Sequence, residues 1–156
     1  MTDLSLRGER LFTMDATLQA PPEVIGPVPE GIRANFHVTG GRFEGPRLRG
    51  VLRAVGQDAF LLRRDGMGLL EVLLTLETGD GALIEMRYDG ISDFGENAYE
   101  GFLRGEIPRE VGLHTFPRLR SAHPGYQWLQ RLACVGVGQA DLERSTVRYE
   151  VYALQT

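Results

Sequence analysis

The sequence contains one cysteine, no lysine and no long run of apolar residues. A single cysteine, Cys134, cannot form an intrachain disulfide, so we expect a small buried thiol in a reducing, cytoplasmic compartment. All 17 basic residues are arginine, which is typical of a GC-rich bacterial genome, and 21 acidic residues give a formal charge of −4. This charge balance disfavours nucleic-acid and anionic-membrane partners. No apolar run is long enough to cross a bilayer, and the N-terminal segment 1–7 lacks the apolar core of a leader peptide.

Glycine and proline are plentiful instead, with 20 and eight copies in 156 residues. They favour many short turns over long helices and indicate a β-rich protein. A chain of this length can bury a core without disulfides or metals, so we expect one domain over residues 1–156.

Alternating segments separated by turn residues predict the architecture. In Ile32–Thr39 apolar and polar residues alternate as in a half-buried strand, whereas the prolines of residues 18–31 predict an ordered crossing loop or lid. Short helices are predicted within residues 96–105 and after Pro124. We predict an all-β fold, a single antiparallel β-barrel of about eight to ten strands with one or two short helices. A β-sandwich is the alternative.

Residues 39–50 concentrate turn residues and arginines between two predicted strands. Gly40 and Gly41 permit positive φ, and Gly50 indicates a close backbone approach, so the stretch predicts a sheet corner. Such corners occur at barrel rims, where Arg47 or Arg49 would bind a substrate carboxylate at the mouth. A surface ion pair with Glu44 is the simpler interpretation.

The three strands predicted within residues 60–89 form a meander whose register follows from turn length. An even loop around Gly79-Asp80 pairs Glu71 with Tyr88 and Leu73 with Met86, whereas an odd loop would break this pairing. The even register predicts one largely apolar face that includes Phe60 and Leu62. Its opposite face would be an outer surface carrying the strip Leu70, Val72, Leu74 and Leu76.

Recognisable motifs occupy residues 26–31, 39–50, 65–66, 70–72, 80–84, 88–90, 104–106, 126–129, 135–138 and 147–152. In these segments the chain resembles the domain of unknown function 3237 family, also called uncharacterised protein family 0311. The resemblance implies a small antiparallel β-barrel, often oligomeric, with no agreed activity and no cofactor requirement. The chain departs from the family pattern at Leu119 and Arg120, which replace an aromatic residue and an acid, and at Glu71 and Gln130.

Glu71 and Tyr88 are the predicted catalytic pair. A carboxylate among apolar neighbours gains proton affinity, and a phenol across the ladder donates to it or to a developing enolate. The alternative is that Glu71 faces solvent or forms a structural ion pair and has no catalytic role. The predicted ligand-binding residues are Arg47, Phe60, Leu73, Met86 and Trp128. The three histidines are far apart in sequence, so no metal site is predicted, and no cofactor is expected.

Two functions follow from these patterns. The first is a small-molecule-binding β-barrel whose apolar lumen takes an organic acid, an aromatic or a polyketide-like compound. The second is a cofactor-independent lyase, isomerase or hydrolase that uses Glu71 and Tyr88 for proton transfer. A structural subunit that associates through the Leu70 to Leu76 strip is a third possibility. A homo-oligomer, with a dimer favoured, is expected in each case.

Overall fold

The computed structural model describes residues 4–155, so the first three residues of the N-terminal segment lie outside the described part of the chain. A short helix, α1 (Ala98–Leu103), and a 3-10 helix (Pro124–Arg131) interrupt the strands. The strands are β1 (Arg7–Leu18), β2 (Glu23–Val28), β3 (Gly31–Glu44), β4 (Arg49–Arg63), β5 (Met67–Thr78), β6 (Leu83–Asp93), β7 (Glu110–Arg120), β8 (Cys134–Asp141) and β9 (Thr146–Gln155).

Eight of the strands form a closed antiparallel barrel. Their order is β1-β9-β8-β7-β6-β5-β4-β3, and β3 pairs again with β1 to complete the ring. The ninth strand, β2, pairs only with residues 31–35 of β3 at one end of the barrel. The predicted all-β barrel with short helices is therefore confirmed, and neither helix in residues 4–155 has the length and apolar character needed to cross a membrane.

The register of the meander differs from the prediction by one residue. Three residues, Gly79 to Gly81, separate Thr78 from Ala82, and the Thr78 amide donates to the Ala82 carbonyl at 2.9 Å. This odd loop pairs Glu71 with Asp89 and Val72 with Tyr88. Because side chains alternate between faces, a shift of one residue moves every β5 side chain to the other side of the sheet.

The strip Leu70, Val72, Leu74 and Leu76 consequently faces the interior, and all four side chains are buried. The prediction that this strip forms an outer surface is wrong. Tyr88, Met86 and Ile84 of β6 point inward beside it, as predicted for that strand.

Residues 39–50 contain an irregularity in β3 and the turn that joins β3 to β4. Gly40 and Gly41 have φ of 149° and 146°, and a Cβ on Gly41 would lie 2.1 Å from the Asp15 carbonyl oxygen. A Cβ on Gly50 would lie 1.9 Å from the Glu77 carbonyl oxygen. Only glycine permits β3 at Gly41 and β4 at Gly50 to lie this close to the backbones of β1 and β5.

The 3-10 helix closes the barrel at the end where β3 meets β4 and β5 meets β6. Its Leu129 side chain is inserted into the core, and the Tyr126 hydroxyl donates to Asp80 of the β5–β6 turn at 3.0 Å. We call this the closed end. Its interior is filled by buried apolar side chains, including Phe12, Met14, Phe43, Leu76, Ile84, Met86, Leu129 and Val151.

The start of the chain differs from the prediction in one segment. Leu4 and Leu6 precede β1 and are exposed. The proline-rich segment was expected to be a loop or lid, and it contains the edge strand β2, whose unpaired side tolerates Pro27.

Candidate ligand-binding lumen

The half of the barrel opposite the closed end is hollow. Its cavity, which we call the lumen, has a volume of about 370 Å³ and lies among inward-facing residues of β3 to β9 and the end of β1. Leu74, Tyr88 and Tyr149 form its floor, because the next inward residues, such as Met86 and Val151, belong to the filled half. One barrel thus has a packed half and a hollow half.

The lumen opens at the end where α1 and β2 lie, which we call the mouth. Phe102 and Leu103 of α1, Ile107 beyond it and Val24 of β2 all line the cavity. Leu103 and Ile107 are 51% and 56% exposed, so the mouth has an apolar rim in contact with solvent. Apolar groups retained at a cavity opening are typical of ligand-binding clefts.

Asp58 is the charged residue of the lumen. It follows Gly56 on β4, opposes Val72 of β5 and shares the inward face with Phe60 and Leu62. Within the described part of the chain, no other lining residue carries a formal charge. The Glu71 backbone amide donates to Asp58 Oδ1 at 3.0 Å and fixes the carboxyl group.

The surroundings of Asp58 alter its proton affinity. Burial raises the pKa of its carboxyl to about 7, although the hydrogen bond from Glu71 and the charge of Arg33 act in the opposite direction. Desolvation disfavours the charged form of a carboxyl group, and few polar groups here compensate for it. Asp58 therefore exchanges a proton near neutral pH, as a general acid or base must.

Two phenols accompany this carboxyl on the floor. Tyr88 and Tyr149 are neighbours, and their ring centres are 5.5 Å apart in an edge-to-face arrangement. Burial raises the pKa of both hydroxyls above their usual range, and the charge of Asp58 acts in the same direction. Both phenols are therefore neutral hydrogen-bonding groups at physiological pH.

Gly138 provides the space that the Tyr149 ring occupies. The two residues pair across β8 and β9, and a Cβ on Gly138 would lie 2.3 Å from Tyr149 Cδ1. Strand β8 is thus part of the site, because Gly138 leaves room for the Tyr149 ring, with which any other residue would collide.

The structure separates the predicted site residues into three groups. Phe60 and Tyr88 line the lumen, and Met86 lies one inward position below the floor, within the packed core. Glu71 and Leu73 are on the outer surface, and Leu73 is 48% exposed. The predicted Glu71–Tyr88 pairing is therefore wrong, since the odd turn places Glu71 opposite Asp89.

Arg47 and Trp128 are together, but away from the lumen. The Arg47 guanidinium lies 3.6 Å from the centre of the Trp128 ring, in a cation–π contact at the closed end. Neither residue lines the cavity. The prediction that the corner places Arg47 at the mouth is wrong, because β3 and β4 join at the opposite end.

The departures from the family pattern also lie outside the lumen. Leu119 is buried opposite Met86 in the packed half, and Arg120 Nε donates to Glu85 Oε2 at 2.7 Å on the outer surface. These positions therefore bear on packing and on the surface rather than on the lining of the cavity.

Asp58 was missed by the sequence analysis, although a signal for it existed. The predicted meander began at residue 60, whereas β4 runs without interruption from Arg49 to Arg63. The period of two that makes Phe60 and Leu62 face inward also places Asp58 on that face.

Within residues 4–155, moreover, no three His, Cys, Asp or Glu residues come close enough together to hold a metal ion.

Comparisons with known proteins agree with this fold. The model of a family described as a protein of unknown function (DUF3237) matches residues 7–154. A UPF0311 protein of Rhodopseudomonas palustris is 28% identical over 145 residues, which is 92% of this chain and 94% of the relative. A crystal structure of a conserved protein of unknown function from the same species has a TM-score of 0.85 at 26% identity, over 98% of this chain and 100% of that one.

More distant structures share the architecture. A protein with unknown function from Clostridium acetobutylicum has a TM-score of 0.85 at 23% identity, over 97% of this chain and 100% of the other. A structure described as an enzyme from Penicillium herquei has a TM-score of 0.66 at 19% identity, over 99% and 98% of the two chains. At these identities the similarity concerns the fold alone.

Proposed function

The chain belongs to the DUF3237 family, and from that starting point we propose that its barrel binds a small, largely apolar molecule in the lumen. The observation that carries the proposal is the hollow half of the barrel, about 370 Å³ in volume and lined by apolar side chains around one carboxyl and two phenols. Ligand sites commonly combine an apolar wall with a few polar groups that orient the ligand. The ligand's polar group would face Asp58 and the floor.

A cavity-filling substitution tests this binding. In Ala140→Phe the new ring occupies the lumen, because Ala140 is a buried lining residue of β8. The probe is N-phenyl-1-naphthylamine, a neutral dye that fluoresces in apolar surroundings. We expect the wild-type protein to bind it and Ala140→Phe to bind it at least about tenfold more weakly, since bound ligands fill such pockets closely.

The matched control for this experiment is Val137→Phe. Val137 is on the same strand but points outward and is 48% exposed, so its substitution should leave dye binding unchanged. Circular dichroism confirms that each variant is folded. Equal dye affinity in a folded Ala140→Phe variant would show that the dye binds elsewhere, and the binding proposal would fail.

Asp58 supports a second function, cofactor-independent proton transfer on the bound molecule. A carboxyl with a pKa of about 7 is half-deprotonated near neutral pH, and the neutral phenols can stabilise a developing oxyanion. Asp58 takes the role that the sequence analysis gave to Glu71. The enzyme from Penicillium herquei shares only the fold, so this proposal depends on Asp58 itself.

A neutral two-ring compound, 5-nitrobenzisoxazole, reports on such a base. The Asp58 carboxylate would remove the proton from C3, the C–H electron pair would form the nitrile, and the N–O bond would break to release a phenolate. We expect wild-type protein to accelerate this reaction over buffer, with a rate that rises with pH through about 7. Asp58→Asn should lose about 100-fold or more of the acceleration, as removal of a general base does.

The control variant is Asp89→Asn, which makes the same chemical change at an exposed carboxylate on β6 and should leave the rate unchanged. Equal rates for wild-type protein and Asp58→Asn, with the dye still bound, would exclude Asp58 as the base while leaving the binding function intact.

A further inference from the structure

The inner walls of the lumen differ in chemistry on opposite sides. Four phenylalanine rings from β3, β4 and the connection that contains α1 form a continuous series of edge-to-face and tilted contacts: Phe36, Phe60, Phe94 and Phe102. The ring centres of neighbours in the series are 5.5 to 5.7 Å apart. We call this series the aromatic wall.

Aliphatic side chains lie on the other side of the barrel. In the ring of eight strands, β7 and β8 are four positions from β3 and β4, and their lining residues are Val111, Leu113 and Ala140. The lumen therefore has the aromatic wall on one side, beside aliphatic residues of β3 such as Ile32 and Val38, and the aliphatic side chains of β7 and β8 on the other, which we call the aliphatic wall. Gly68 of β5 maintains the aromatic side, because a Cβ there would lie 2.7 Å from the Phe60 ring and 2.8 Å from the Phe94 ring.

The charge of the lining restricts the ligand further. Of the lining residues in the described part of the chain, Asp58 alone carries a formal charge, and arginine and histidine are absent from the lining. A carboxylate ligand would lose its hydration without gaining a cation, and it would meet the Asp58 carboxylate. A hydroxyl or amino group can instead donate to Asp58 and accept from the phenols.

The size of the cavity indicates how many rings can enter. An apolar cavity of about 150 Å³ holds benzene, so a lumen of more than twice that volume accommodates two or three rings.

We propose that the lumen selects flat aromatic compounds of two or three rings that carry a hydroxyl or amino group and no negative charge. This inference rests on the proposed binding function and adds the class of ligand. The donor group lies against Asp58, the rings lie between the aromatic and aliphatic walls, and organic acids are rejected.

Four matched probes test the class, each measured by displacement of N-phenyl-1-naphthylamine at pH 8. They are 2-naphthol, 2-naphthylmethylamine, 2-naphthoate and 2-decalol, the saturated counterpart of naphthol. We expect 2-naphthoate to bind at least about tenfold more weakly than 2-naphthol, because its charge is desolvated beside Asp58. We expect 2-decalol to bind at least about threefold more weakly than 2-naphthol, because it lacks aromatic contacts with the phenylalanine rings.

The Asp58→Asn variant separates charge from shape. It should bind 2-naphthoate more tightly than wild-type protein does, since the repelling charge is removed. The ratio of the 2-naphthol affinity to the 2-naphthoate affinity should therefore fall at least about fivefold. The ratio of the 2-naphthol affinity to the 2-decalol affinity should be unchanged, because the aromatic wall is intact. Tight binding of either 2-naphthol or the amine supports the proposal.

Equal affinities of 2-naphthol and 2-naphthoate in wild-type protein would overturn the charge selectivity, and equal affinities of 2-naphthol and 2-decalol would overturn the aromatic selectivity. In both cases, weaker binding by Ala140→Phe would still support the lumen as the binding site. If neither the dye nor any probe binds, the binding function itself fails.

Discussion

Replacing Asp58 with asparagine is expected to stabilise the protein at pH 8 and to have little effect at pH 4. The folded carboxyl has a pKa of about 7, above its ordinary value of 3.8. Between these values the folded state holds a proton that the unfolded state has released. Stability therefore falls as pH rises through this window, and the wild-type protein is penalised most above pH 7.

The magnitude follows from the size of the shift. A rise of about three in the pKa corresponds to at most about 4 kcal/mol in the free energy of unfolding. Because the carboxyl is half-buried and faces a cavity wide enough for water, we expect Asp58→Asn to stabilise the protein by about 1–3 kcal/mol. Asparagine keeps an oxygen for the Glu71 amide and carries no charge. We expect thermal unfolding at pH 8 to show a melting temperature several degrees above that of wild-type protein.

The control is Asp89→Asn, a change of the same chemistry on the exposed face of β6. It should not reproduce the stabilisation at pH 8. A wild-type protein that is as stable as Asp58→Asn at pH 8, or a difference of the same size at pH 4, would contradict the assignment of Asp58 as a desolvated carboxyl.

Replacing Gly138 with alanine is expected to destabilise the protein and to weaken binding in the lumen. The added Cβ would lie 2.3 Å from Tyr149 Cδ1 and 2.7 Å from the Arg148 carbonyl oxygen. Tyr149 is only 2% exposed, so its ring can move only by displacing Tyr88 or entering the lumen. Overpacking of this kind costs about 1–3 kcal/mol.

Chemical denaturation and dye binding measure the two effects of Gly138→Ala separately. Gly112→Ala is the matched control, because Gly112 is on the adjacent strand and a Cβ there meets no atom within 4 Å. If Gly138→Ala unfolds at the same denaturant concentration and binds the dye like wild-type protein, the fixed position of the Tyr149 ring is not required for the site.

The sequence predicted the barrel well because alternation and turn residues are local properties. The strand from Ile32, the corner with Gly40 and Gly41, and the helix after Pro124 all follow from patterns within a few residues. Closure of the ring by β1 and β3 is not local, but it pairs the β1 edge that an open sheet would otherwise expose.

The site was predicted less well because it depends on the parity of one turn. Thr78-Gly79-Asp80-Gly81-Ala82 allows loops of different length, and the observed three-residue loop reversed the face of Glu71 and Leu73. The inward face of β6 did not depend on that choice, so Tyr88 was placed correctly in the interior. Asp58 was not predicted because the meander was expected to begin at residue 60, whereas β4 continues through Asp58 to Arg63.

Because side chains of the described residues fill the closed end, the lumen opens to solvent at the mouth. A molecule that enters at the mouth must leave by the same path, so whatever occupies the lumen blocks the next arrival until it departs. If the barrel performs chemistry, its product competes directly with its substrate. Turnover would then depend on how fast the product passes the apolar rim at Leu103 and Ile107.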